Sequence, residues 1–183
     1  VLGIEYGNAR EFDRSKAVVE RARSAAVAAS APDLLANVEC LLASTLGDQL
    51  QPDAGLALFA TAIARLDTTR DSGVLAACLH MRADLHAQLG KPEPMLADAQ
   101  AALAHLGTPR PDQRVLANSI GAVVAEAYGR LGRMADAVAT YEASVADLEA
   151  TGRGNTTRAA VRLNNFSRML YQAGQWARAA EVA

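Results

Sequence analysis

The sequence is poor in aromatic residues. They make up 4% of its 183 positions, three Phe, four Tyr and one Trp. No run of alternating Val, Ile, Thr, Tyr or Phe stands between turn signals, so strands are not expected. Lysine is nearly absent: Lys16 and Lys91 are the two, against sixteen arginines. With 18 basic and 20 acidic residues the net charge is −2. That excludes the strong basic excess expected of a nucleic-acid binder, including one that reads bases with helical repeats. No apolar run reaches the roughly 18 residues of a membrane span, and no signal peptide is visible. The two cysteines, Cys40 and Cys78, form no C-x-x-C and fall at apolar helical positions. They read as buried free thiols rather than as a disulfide or metal pair.

Catalytic signatures are missing as well. The histidines His80, His86 and His105 show no HExxH spacing. His80 and Asp84 are one helical turn apart, close enough for a hydrogen bond but too few for a metal site. There is no G-x-S-x-G nucleophile motif. TGRGNTTR at 151–158 lacks the spacing and the lysine of a P-loop, and no strand precedes it; it reads as a linker. The expectation is no enzyme, no cofactor and no metal.

What the sequence has is alanine and repetition. Hydrophobic residues reach 51%, and alanine, the best helix former, supplies much of that. Gly47, Gly90, Gly132 and Gly174 lie 43, 42 and 42 residues apart. Each ends one apolar-periodic helix and precedes another. A fixed period of this size marks a helical-repeat array. The predicted fold is all-α: a right-handed superhelical solenoid of antiparallel helical hairpins. Residues 1–9 have no clear period. A helix over about 10–30, with Phe12, Val19, Ala22 and Ala26 on one stripe, closes the N-terminal region 1–31 as the end of a preceding repeat. Repeats follow at 32–70, 71–110, 111–153 and 154–183, the last cut short. The predicted hairpins run 33–46 with 53–66, 72–89 with 92–106, and 112–131 with 134–150, then a helix to Ala173 and the start of another near Gln175. Asp53 is expected to cap its helix, and Asn155 or a following Thr to cap the fourth first-helix. The chain reads as a piece of a larger protein. Its Arg- and Ala-rich composition points to a bacterial source.

Several segments resemble the tetratricopeptide repeat family. Ala125-x2-Tyr128 and Ala137-x3-Tyr141 match its first-helix and second-helix patterns, Gly55-x3-Phe59 repeats the second, and Ala179 repeats its small position. Met95 and Ala99 are the weakest match. The family's usual repeat is about 34 residues, so a 42-residue period implies longer helices. Leu163-Asn164-Asn165-Phe166-Ser167, followed by LYxxGxWxxA, is similar to the long-helix subclass seen in kinesin light chain and in bacterial regulatory arrays. The resemblance implies a cytoplasmic protein- or peptide-binding scaffold, whose first helices line a concave groove. By position, it places Asn37, His80, Asp84, Glu126, Asn164, Arg168 and Tyr171 in that groove. An amide such as Asn164 can serve both N–H and C=O of a peptide, and Arg168 can hold a carboxylate. Against this stand an inter-repeat lock by Asn164 and an ion pair between Arg168 and Glu126. Tyr128, Tyr141 and Trp176 read as packing residues. The alternatives are a self-association or intramolecular packing module, pairing through the terminal helix, and a sensor of a small peptide or metabolite.

Overall fold

The computed structural model describes residues 12–183, with side chains from Ala17 onward. The expectations for residues 1–9 and for the side chain of Phe12 lie outside the described residues. Helix α1 spans Phe12–Ala28. Four hairpins follow: α2 Pro32–Asp48 with α3 Pro52–Ile63, α4 Ser72–Gln88 with α5 Pro92–Leu106, α6 Arg114–Arg130 with α7 Met134–Ala150, and α8 Thr157–Gln172 with α9 Trp176–Val182. No strand occurs among the described residues.

Three of the four hairpin turns are built the same way. Gly90, Gly132 and Gly174 adopt φ of +65°, +75° and +75°. This left-handed geometry returns the next amides to the end of the helix: the Lys91 N–H donates to the His86 carbonyl at 2.9 Å, and the Gln175 N–H to the Leu170 carbonyl at 2.9 Å. The first turn departs from the expected register. There the left-handed residue is Leu50, φ +61°, with a side chain 90% exposed. Gly47 lies inside α2. It is a packing glycine, because a Cβ there would meet Leu85 Cδ1 at 2.7 Å. Counted back from the turn residues Leu50, Gly90, Gly132 and Gly174, Asn37 is level with Ala77, Ser119 and Val161. It does not share the level of His80 and Asn164, as the glycine spacing had placed it.

Helix ends show where local signals succeed and fail. Pro32, Pro52 and Pro92 occupy first-turn positions, where no intrahelical N–H is needed. Asp53 does not cap α3: Gln51 holds that position without a side-chain bond. A proline at the first helical position fixes the entry one residue earlier. Thr156 caps α8, its Oγ1 accepting from the Ala159 N–H at 3.2 Å.

The core is a stripe running through the stack. Phe59, Cys40, Cys78, Met95 and Ile120 are fully buried in one cluster spanning α2 to α6. Tyr141, Phe166 and Leu170 form the next, and half-buried Tyr128 touches both. The motif residues Gly55, Phe59, Ala137, Tyr141 and Ala179 all lie in this interior. Tyr141 stacks on Phe166 at 6.0 Å between centroids. Small residues set the close approaches: a Cβ on Gly55 would meet the Ala43 carbonyl oxygen at 2.7 Å.

Cys40 and Cys78 are buried, but they are not free thiols. They form a disulfide joining α2 to α4, with Cα atoms 5.5 Å apart. Consecutive first helices pack side by side, and this separation suits the bond. The spacing of 38 residues, close to one repeat, brings the two cysteines near one level.

Candidate functional site: the wall of first helices

First helices α2, α4 and α6 pack against one another in sequence, whereas second helices pack on their own and the following first helix. The first-helix side is therefore the tighter, inner wall of the stack. One level of that wall carries Asp84, Glu126 and Arg168, all the same distance ahead of their turn glycines. Asp84 feels the charge of Glu126. The level above carries His80, Ala122 and Asn164.

His80 Nδ1 lies 3.9 Å from Asp84 Oδ2, too far for a hydrogen bond, and has no partner. Loss of hydration lowers the His80 pKa below 6.5, with Asp84 opposing the shift and Arg158 and Arg162 reinforcing it. The Asp84 carboxyl is half exposed at its own surface. The surrounding walls still displace enough water to raise its pKa, helped by Glu126 and opposed by His80.

Glu126 does not pair with Arg168. Its partner is Arg130 on the same helix, with Nη2 at 2.6 Å; Arg130 Nη1 also donates to the Ala87 carbonyl at 2.7 Å. Arg130 thus adds a second bond to a terminal carbonyl of α4, which already accepts from the Gly90 N–H, while holding Glu126, and Arg168 is left without an ion pair among the described residues. Glu126, Arg130, Arg168 and Gln172 nevertheless line one cavity of about 370 Å³ between α6 and α8. Asn164 is exposed and makes no side-chain hydrogen bond among the described residues, so no inter-repeat lock is present there. Tyr171 is 66% exposed. Asn37 is half-buried at the far end of the wall. Trp176 departs from the packing expectation: at the second-helix start it is 68% exposed.

Two residues of this wall were missed by sequence reasoning. Between α6 and α8 the close packing of first helices stops, and arginines span the gap. Arg158 Nη1 donates to Ser119 Oγ at 2.6 Å, and Arg162 Nη2 to the Asn118 carbonyl at 3.1 Å. Arg162 is 6% exposed, and its Nε and Nη1 have no partner. The signal was present: counted from the turn residues, Arg162 is level with Val38, Cys78 and Ile120, all buried apolar side chains.

The arrangement offers hydrogen-bonding and charged groups of both signs along one wall. Among the described residues no three His, Cys, Asp or Glu side chains converge on a metal-sized site. No described helix is long and apolar enough to cross a membrane.

No protein-family model matches the sequence, and no curated protein does. Solved structures do match. The BtubC (BKLC) protein from P. vanneervenii superposes with a TM-score of 0.80 at 17% identity, over 100% of this chain and 74% of that one. A putative kinesin light chain of Podosopora anserina with nearly identical TPR-like repeats superposes with a TM-score of 0.75 at 16% identity, over 99% of this chain and 88% of that one. A single-substitution variant of that protein gives 0.76 at 16% identity, over 99% and 87%. The fold of this chain is that of the kinesin-light-chain-like TPR repeat solenoids.

Proposed function

We propose that the array is a non-catalytic binding scaffold that takes a protein or peptide segment along its inner wall, as one module of a larger bacterial regulatory protein. Solenoids of this fold suit protein interaction because stacked first helices form an extended surface. The observation carrying the groove reading is the level of Asp84, Glu126 and Arg168 on successive first helices. Beside it, Asn164 and Tyr171 are exposed. The wall carries both signs of charge, so a segment with alternating acidic and basic side chains fits better than a uniformly acidic tail. Tyr171 adds a rigid apolar face with a polar tip.

A displayed-peptide selection on the 183-residue chain, repeated with Asn164→Ala and Arg168→Ala together, tests this. Both proteins are first matched for helicity and melting temperature. The expected result is a set of peptides enriched by the parent and lost from the variant. Equal enrichment by both would refute groove binding. A second reading, self-association, draws on exposed Val161, Tyr171 and Trp176 near the C-terminal end; sedimentation of the chain across a concentration series tests it.

A further inference from the structure

The stack has a second concavity, on the other side of α6 from the inner wall. Ala117 and Glu126 are nine residues apart, which at about 100° per residue places them on opposite helix faces. The Ala117 face opens onto a cleft with two chambers. The first, about 380 Å³, is bounded by Leu103 of α5, Pro109, Ala117 and Gly121 of α6, and Ala143 of α7. A Cβ built on Gly121 would meet nothing within 4 Å, so that helix face is uncovered. Ser144 lines the same chamber; its Oγ is buried and has no hydrogen-bond partner. The second chamber, about 230 Å³, lies against Arg153, Thr156 and Arg158 where α8 begins. Arg114, Asn118 and Asp147 line both and form the neck between them.

The charge around the neck is unbalanced. Arg114 and Arg153 stand against the single carboxylate of Asp147, while the Arg158 guanidinium turns to Ser119 on the inner-wall face. No ion pair joins any of the three among the described residues. Asp147 already accepts from Asn118 Nδ2 at 3.3 Å. An apolar chamber thus adjoins two guanidinium groups with no ion-paired counterion, in a chain whose net charge is −2. We propose that this cleft binds a small amphipathic anion, with its apolar tail against Gly121, Ala117 and Leu103 and its carboxylate at Arg114 and Arg153. Tail burial and head-group charge would then act together, the usual division between apolar lining and a few polar groups. The site goes beyond the peptide groove and does not depend on it.

Octanoate is the probe, titrated into the 183-residue chain by calorimetry and followed by amide NMR. Octanol, octylammonium and acetate are the controls. Octanoate should saturate and shift the amides of Ala117 and Gly121, with octylammonium and acetate at least about tenfold weaker. Gly121→Leu fills the chamber; it should abolish octanoate binding with the melting temperature unchanged or raised, because glycine is a poor helix former. Arg114→Gln with Arg153→Gln should weaken octanoate about tenfold while leaving octanol unaffected. Asn164→Ala with Arg168→Ala should change nothing here, which separates this site from the groove. The proposal is overturned if octanoate does not saturate, if octylammonium binds equally well, or if octanoate binding survives Gly121→Leu.

Discussion

Opening the Cys40–Cys78 bond should loosen the first two hairpins far more than any surface change. The bond links residues 38 apart in sequence. Chain-entropy reasoning gives a loop of that size about 4 kcal/mol of stabilisation, by restricting the unfolded chain. At roughly 2–4 °C per kcal/mol for a protein of this length, melting should fall by about 8–16 °C when the bond is cut. In a stack whose repeats touch only their neighbours, the loss should concentrate in α2 to α5, leaving α6 to α9 closer to their original stability. The assay is thermal unfolding followed by circular dichroism, with and without a phosphine reductant, alongside Cys40→Ala combined with Cys78→Ala. Amide exchange on the same samples maps where protection is lost. Thiol titration in denaturant without reductant should find no free thiol. Coincident melts with two titratable thiols would refute the reasoning and restore the free-thiol reading. The outcome also bears on location, because disulfides of this kind persist in oxidising compartments and are rare in the cytosol of mesophiles. A bond intact in freshly isolated protein would argue against the cytoplasmic placement that the resemblance suggests.

Leu50→Gly should raise stability by about 1 kcal/mol, because a left-handed backbone costs a side-chain-bearing residue about 1–2 kcal/mol and Leu50 buries little in return; denaturant titration reads this directly. Gly129→Ala should change stability by no more than about 1 kcal/mol, since the new Cβ displaces only the movable end of Met169 and alanine favours the helix. A double-mutant cycle with a shortened Met169 should give a coupling below about 1 kcal/mol. His80 should titrate below 6.5 in the folded chain. Its contribution to stability is present above pH 6.5 and is lost as the pH falls through the folded value, because only the unfolded chain takes up the proton easily. His80→Gln should flatten that part of the stability profile, and NMR titration of the ring protons gives the midpoint.

Repetition and helix-forming composition made the fold legible, and prolines marked the helix entries. Register was less secure. Gly47 carries the right residue type at almost the right spacing, yet α2 runs through it to Asp48 and gives the turn to Leu50. Nothing local distinguishes a glycine kept for a tight turn from one kept for close packing against Leu85. Asp53 failed as a cap for a similar reason, since Pro52 had already fixed the helix start. The disulfide required knowledge of which first-helix faces meet, and that is a property of the stack. In the groove, the spacing placed Asp84, Glu126 and Arg168 at one level, but it could not show that Arg130 would take Glu126. Arg162 stands as a charge in an apolar column in either register, since the count from Gly47 gives Leu35, Cys78 and Ile120 and the count from Leu50 gives Val38, Cys78 and Ile120.

Arg162 also makes the hairpins non-interchangeable. An array of near-identical units can pair with the wrong neighbour during folding, and such misassembly is a common failure of repeat proteins. Here α8 docks on α6 through a guanidinium that needs the Asn118 carbonyl and side-chain oxygen. Moved one repeat along, the same arginine would face α4, where Ala76 takes the level of Asn118 and supplies no oxygen from its side chain. An uncompensated buried charge is costly, so the slipped pairing is penalised at the step where it would form. The residue that breaks the sequence pattern thus acts as an address, encoding which hairpin follows α6.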